Sequence, residues 1–324
     1  MSSWPSSPEQ LAEHATLALR SALERCSTHA LAVVVDPTLT DPWDGLSDHL
    51  PSASLRMRIP ISHPDISPSN SPYLIVIGDE RIQERLVSKT LELAARECLE
   101  GIESARSSRA ICGWLPVDST TASNPTALLR GLAACATVVG SSGKPLYFRY
   151  FDPRVMGQLA GILSPNQQRA LIHPALGWLF LHPAGRMHAL ELGAEKSSGP
   201  EPFSMSREQL KELERVPWLQ QLRFQSRQWG AGTPPEDAQL DSALMQAQRA
   251  GLTAQEDCLV HATCSFLLGP RFHAHAYVSS LMEDARGMPG RFASGMAQLT
   301  DVQLQEIRDS VDETSIRQGS RHDR

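Results

Sequence analysis

The sequence predicts a layered α/β domain followed by an all-helical lobe. In the first half of the chain, short apolar runs of strand length alternate with helix-like segments, the pattern of a sheet flanked by helices. After a segment rich in Gly, Ser, Glu and Pro, the strand pattern disappears and apolar residues recur with helical spacing. We therefore predict an α/β domain over residues 1–192, a linker over 193–205, a helical lobe over 206–313 and a disordered tail over 314–324.

Helix caps and apolar runs define the elements of the first domain. Ser7 to Gln10 fits the capping-box pattern, in which two side chains bind free backbone N–H groups, so the first helix begins there. Continuous apolar runs are typical of strands that are covered on both faces. The predicted strands are residues 30–35, 56–61, 73–77 and 110–115, with a hairpin of strands at 177–182 and 187–192. The further helices are residues 80–100, one that follows Asn124 and Pro125, and one that follows Ser164.

An aromatic segment at residues 146–151 has the two-residue period of a strand. Its side chains form two alternating sets, and each set is expected to lie on one face. The first set is Leu146, Phe148 and Tyr150, and the second is Tyr147, Arg149 and Phe151. The period predicts a strand that runs through the whole segment.

The strand period ends at a charged corner. Asp152 can cap the next helix by accepting backbone N–H groups, and Pro153 suits the first helical position, where a missing N–H donor leaves no bond unmade. Arg149 and Arg154 flank Asp152 closely enough to brace it. An active-site role would need a nucleophile or base beside these charges, and none accompanies them in the sequence, so we predict a structural corner or an interface.

The helical lobe is predicted from three further capping-box patterns, each followed by amphipathic periodicity. They begin at Ser206, Thr253 and Thr300. Gly251 is a C-terminal stop for a helix at about residues 237–250.

Trp218, Arg223 and Trp229 follow the linker closely and form a candidate partner interface. Tryptophan and arginine are enriched at protein interfaces. The same spacing also fits an ordinary amphipathic helix with a solvated face, so both interpretations stay open.

The composition excludes several classes of function. The 324 residues are 41% hydrophobic, which is enough for a substantial core, and the net charge of −6 gives no basic surface for nucleic acid. No apolar run approaches the ~20 residues that a membrane span needs, and the first ten residues lack the features of an export signal. The six cysteines have no disulfide-framework spacing. We therefore expect a cytoplasmic protein that binds neither nucleic acid nor membrane.

The sequence lacks the common enzyme signatures, including phosphate-binding and nucleophile motifs, and we expect no cofactor. One cluster has the residue types of a zinc site: Cys258, His261, Cys264, His273 and His275. On a helix, residues three apart are offset by ~60° about the helix axis, so the members of this cluster that share a helix spread around its surface. This spread favours buried thiols with histidines at a polar edge over a metal site. A metal-binding protein or metal-dependent enzyme built on this cluster is the alternative to a non-enzymatic function.

Six segments follow one another in a distinctive order: a strand that ends in Asp, a strand after a Pro, a Trp-bearing strand, a capped helix, the Arg and Asp-Pro-Arg corner, and a helix that runs into a Trp. These segments are Leu31 to Asp36, Pro72 to Gly78, Gly113 to Leu115, Asn124 to Val139, Arg149 with Asp152-Pro153-Arg154, and Ser164 to Trp178. Their order resembles that of the type VI secretion effector adaptors, also called effector chaperones. The resemblance covers about half of the chain.

The resemblance implies a non-enzymatic adaptor in the producing cell. Such a protein binds a toxic effector, often through the effector's N-terminal region, and promotes its loading onto the VgrG spike. A scaffold for some other cytoplasmic complex is a further alternative, which differs only in its partners.

Overall fold

The structure is a computed structural model that describes residues 7–28, 30–47, 56–77, 80–103, 109–140, 143–190, 202–229 and 235–319. The chain divides into two compact units, Met1–Glu214 and Arg215–Arg324. The first unit contains a sheet with flanking helices and the second is built of helices, which confirms the predicted fold class.

The first unit contains eight strands and eight α-helices in its described part. The strands are β1 (Ala30–Val35), β2 (Arg56–Arg58), β3 (Tyr73–Ile77), β4 (Ile111–Val117), β5 (Thr137–Val139), β6 (Pro145–Tyr147), β7 (Trp178–His182) and β8 (Arg186–Leu190). The helices are α1 (Pro8–Cys26), α2 (Trp43–Ser47), α3 (Glu80–Glu103), α4 (Ser119–Ser123), α5 (Thr126–Cys135), α6 (Pro153–Ile162), α7 (Pro165–Ile172) and α8 (Arg207–Glu214).

Six strands form one antiparallel sheet in the order β2-β3-β1-β4-β7-β8, and β5 and β6 form a separate hairpin. The central strand β1 is buried along its whole length. Leu31, Val33 and Val35 point to one face, where they join the core that α1 and α3 cover. Ala32 and Val34 point to the other face and join the core that α5, α6 and α7 cover. The unit therefore has three layers, and each large apolar side chain in β1 stabilises them by about 1.5–3 kcal/mol.

The second unit is a helical bundle around its own core. Its helices are α9 (Val216–Ser226), α10 (Asp237–Arg249), α11 (Gln255–Leu267), α12 (Ala276–Ala285), α13 (Arg291–Met296) and α14 (Asp301–Gly319). Two buried arginines, one just before α9 and one within it, bind aspartates of α10. Arg215 Nε lies 2.9 Å from Asp241 Oδ1, and Arg223 donates to Asp237. Burying such charges is tolerable because each guanidinium is paired.

Most local predictions hold. The Ser7 and Ser164 caps, the strands at residues 30–35 and 73–77, and the hairpin of β7 and β8 are present. Residues 191 and 192 of the predicted hairpin lie outside the described residues. The second strand stops at Arg58 and does not reach residue 61, because Pro60 has no N–H to donate to a ladder.

The aromatic strand is shorter than predicted, and its two faces are not separate. Strand β6 ends at Tyr147, and the backbone N–H of Phe148 makes one last bond, of 2.8 Å, to the carbonyl oxygen of Ala136. The chain then turns, and Tyr150 and Phe151 are buried in the same core. Packing in that core overrides the alternation that the sequence suggests.

The boundaries of the helical lobe also differ from the prediction. Helix α8 belongs to the first unit, because Leu210 and Leu213 pack against the first unit's core. Phe203 and Met205, at the end of the predicted linker, pack there too, and residues 193–201 lie outside the described part. Helix α14 continues to Gly319, past the predicted tail start at 314, and residues 320–324 are not described.

The capping box predicted at Thr253 is wrong. Helix α11 begins at Gln255 with Ala254 as its N-cap, and no side chain caps it. The carboxylate of Glu256, which should complete the box, lies close to Gly290. The capping boxes at Ser206 and Thr300 are present.

Substituting Gly113 with Ala should lower the free energy of unfolding of the first unit by about 2–4 kcal/mol. Gly113 has φ +149° beside a β-bulge, and an added Cβ would clash with the carbonyl oxygen of Leu179 and with the Trp178 ring. Urea denaturation followed by tryptophan fluorescence measures the effect. Gly161→Ala is the control, because space is open there within helix α6 and stability should rise by up to ~1 kcal/mol. Equal stability of both variants would contradict the tight contact of β4 with β7.

Candidate functional site

The predicted corner lies where the chain enters helix α6. Asp152 is the N-cap of this helix and accepts a hydrogen bond of 2.9 Å from the backbone N–H of Arg154, while Pro153 occupies the first position. The guanidinium of Arg154 binds the same carboxylate twice, with Nε 2.9 Å from Oδ1 and Nη2 2.6 Å from Oδ2. The predicted cap and the bracing by Arg154 are therefore both present.

Arg149 has a different main partner from the one predicted. Its Nη2 lies 2.5 Å from Oδ2 of Asp36 and 4.0 Å from Oδ2 of Asp152. Asp36 is the buried residue that follows β1, and its other carboxylate oxygen accepts bonds from the backbone N–H and the hydroxyl of Thr38. The corner is thus a network of two carboxylates and two guanidiniums.

Asp36 is the residue of this network that the local sequence pattern does not predict. Nothing local to residues 146–154 indicates it, because 113 residues separate it from Arg149. One signal was available, since a strand that ends in Asp is part of the family resemblance. The structure brings this residue to the Asp-Pro-Arg motif.

The surroundings favour the ionised forms of Asp152 and Arg149. Burial alone would raise the pKa of Asp152, but hydrogen bonds and the charge of Arg154 outweigh burial and hold this pKa below its ordinary value. Burial alone would lower the pKa of Arg149, but Asp36 and Asp152 raise it above its ordinary value. Buried Cys112 lies near these carboxylates, and burial and their charges raise the pKa of its thiol well above the ordinary value. This thiol is therefore not activated as a nucleophile.

The candidate interface residues of the second unit have different surroundings. Arg223 is buried, and its guanidinium is bound by Asp237 and Gln220 within the unit. Trp229 stacks on Phe266 with ring centroids 5.4 Å apart, and Trp218 packs partly against the core. Arg223 therefore has a structural partner, whereas Trp218 and Trp229 keep part of their surface exposed.

The Cys/His cluster is dispersed around helix α11 and the segment after it. Buried Cys258 donates to the carbonyl of Leu252, and buried His261 packs against Phe272 at 5.0 Å between ring centroids. Burial and the nearby His273 lower the pKa of His261 to about 4, so its ring stays neutral near pH 7. Within the described ranges, no group of three or more His, Cys, Asp or Glu side chains is placed to hold one metal ion.

In the part of the chain that the structure describes, no helix has both the length and the apolar content that a membrane crossing requires.

No protein-family model, no curated protein and no solved structure matches this chain.

Breaking the Asp36–Arg149 pair should destabilise the first unit. We expect a coupling free energy of about 1–3 kcal/mol from a double-mutant cycle of Asp36→Asn and Arg149→Gln, because the carboxylate is buried and the arginine side chain is only 32% exposed. Chemical denaturation of the four proteins gives this value. The same cycle on the exposed pair Arg20–Glu84, with 61% and 76% exposure, is the control and should give less than ~1 kcal/mol. Similar values for both pairs would contradict a special role for Asp36.

The pH dependence of stability should report on Asp152. Its pKa is lower in the folded state than the ordinary value of 3.8, so the ionised carboxylate stabilises the fold fully above about pH 5. That contribution is lost as the pH falls below 3.8 towards the folded pKa. The difference in unfolding free energy between the wild type and Asp152→Asn should therefore be largest at pH 6 and shrink towards pH 3. Urea titrations at several pH values test this, and a difference that stays constant with pH would contradict it.

Proposed function

We propose that this protein is a non-enzymatic, cytoplasmic adaptor that binds a secreted effector of a type VI secretion system and promotes its loading onto the VgrG spike. The proposal begins with the resemblance of the sequence to the effector adaptors. The metal-dependent alternative is not favoured, because the described Cys and His side chains are not grouped around one metal position.

One observation carries the proposal. Separate segments bear the resemblance: a strand that ends in Asp36, the arginine at 149, and the Asp-Pro-Arg motif that begins at 152. These segments meet in one buried network of charges. A chance similarity of element order would not require distant motif residues to bind one another.

The hairpin of β5 and β6 offers a surface for the effector. Val139 is 67% exposed and pairs directly with Pro145, which is also exposed, so the two side chains lie side by side on one face of the hairpin. We call these two residues the hairpin patch. Tyr147 ends β6 and leads directly to Arg149, so the corner fixes the position of the patch on the first unit.

The proposed mechanism is reversible binding of an apolar segment. Exposed aliphatic side chains gain about 25 cal/mol for each Å² of apolar surface that a partner covers. A patch of two residues provides part of an interface, and the N-terminal region of the effector is the occupant that the resemblance implies. The spike contacts another surface, and release onto the spike needs affinity that is modest enough to reverse.

An affinity pull-down from the protein's own cells tests the function. We expect the wild-type protein to retain, after a salt wash, both a toxin-like effector and the VgrG spike, identified by mass spectrometry. Replacing Val139 and Pro145 with Glu should reduce effector recovery at least about tenfold, because a buried carboxylate is costly at an apolar contact.

Leu39→Glu provides the matched control, because Leu39 is also an exposed aliphatic residue but is not part of the hairpin patch. Its variant should retain both partners. Loss of the effector in both variants would contradict the patch but not the adaptor function. Recovery of neither partner with the wild-type protein would contradict the adaptor function itself.

A further inference from the structure

Three polar atoms near the corner are buried and have no hydrogen-bond partner among the residues that the structure describes. They are Nε2 of His63, Oη of Tyr147 and Nε of Arg149. The side chain of His63 is only 4% exposed. Leaving a buried polar group unpaired costs about 1–3 kcal/mol, so native proteins rarely keep several together without a reason.

The three side chains belong to one neighbourhood. The rings of His63 and Tyr147 lie 5.9 Å apart between centroids. Tyr147 and Arg149 are two residues apart, and Arg149 binds Asp36. Burial raises the pKa of Tyr147, and the charge of Asp36 raises it further.

All three atoms are hydrogen-bond donors. Nδ1 of His63 lies 3.2 Å from the backbone N–H of Asp65 and 3.7 Å from the Asp65 carboxylate. The shorter contact makes Nδ1 an acceptor, so the ring proton resides on Nε2. The raised pKa keeps the Tyr147 hydroxyl protonated, and the Nε of an arginine always donates.

The neighbouring carboxylates are already engaged. Asp36 accepts bonds from the backbone and hydroxyl of Thr38 and from Nη2 of Arg149. Asp152 accepts three bonds from Arg154. The corner therefore has more donors than the described residues satisfy.

We propose that His63, Tyr147 and Arg149 form a binding site for a carboxylate group. A carbonyl oxygen or a water molecule has two lone pairs and can accept from two donors, whereas a carboxylate offers about four acceptor positions on two oxygens. Hydrogen bonds to a charged acceptor are also about twice as strong as neutral ones. The site is independent of the adaptor proposal, and its carboxylate can come from a small free acid or from an acidic residue or chain terminus of a partner.

Titration of the full-length protein with sodium acetate tests the site. The readout is the NMR signal of the His63 ring in protein labelled with ¹³C-histidine, assigned by its loss in His63→Gln. Ionic strength is held constant with sodium chloride. We expect acetate to shift the His63 signal in a saturable manner and Tyr147→Phe, which removes only the hydroxyl, to weaken acetate binding about tenfold.

Tyr277→Phe is the matched control, because Tyr277 is an exposed tyrosine of the second unit, and its variant should bind acetate as the wild type does. Circular dichroism checks that each variant is folded. A His63 signal that acetate leaves unchanged, or that shifts equally in Tyr147→Phe, would overturn the proposal. A response to inorganic phosphate without one to acetate would overturn it too.

The source of the carboxylate is identified by native mass spectrometry of protein purified in carboxylate-free buffer. A bound small acid that Tyr147→Phe lacks supports a free ligand. Release of a co-purified partner by acetate from the wild type supports an acidic group of that partner. Because the acetate titration needs no effector or spike, its failure leaves the adaptor function standing, and the reverse also holds.

Discussion

The ion pair between Asp36 and Arg149 connects parts of the first unit that local structure would leave separate. Asp36 follows the central strand β1, and its backbone N–H donates to the carbonyl oxygen of Ala110 at 2.8 Å, just before the neighbouring strand β4. Its side chain holds Arg149 at the entrance to helix α6. A buried carboxylate is tolerable only when it is paired, so the position of this helix entrance is constrained by the sheet. The hairpin of β5 and β6 and the α6 helix therefore depend on the residue that follows β1.

The predictable parts of the fold are those that local chemistry determines. Asp152 and Ser164 act as caps as predicted, because a cap needs only residues within three positions. The buried strands were predictable from their apolar runs. The pairing of Arg149 with Asp36 was not, since periodicity carries no information about a partner 113 residues away. The aromatic segment failed for a related reason: Tyr150 packs edge-on against Trp178 at 5.7 Å, and that contact needs a turn and not a strand.

In the second unit, composition was a poor guide to chemistry. The Cys/His cluster has the residue types of a zinc site, but helix α11 directs Cys258 and His261 into a core. There His261 lies between Phe272 and Phe292, and burial keeps its ring neutral. The same holds for Arg223, a candidate interface residue. Its guanidinium pairs with Asp237 inside the unit, so its charge is not available to a partner. Ligand type and residue enrichment identify candidates, whereas tertiary geometry decides which of them remain available.

The corner also contains more polar groups than its structural role requires. Two guanidiniums and two carboxylates already balance in charge and fix the helix entrance. The Tyr147 hydroxyl adds nothing to that balance, and as a buried group that binds no described residue it lowers stability, so phenylalanine would pack better. The same holds for a histidine whose buried Nε2–H binds no described residue. Proteins retain such local costs mainly where function depends on them. A stable network beside unsatisfied donors is therefore best understood as a rigid support that holds those donors in place for an acceptor.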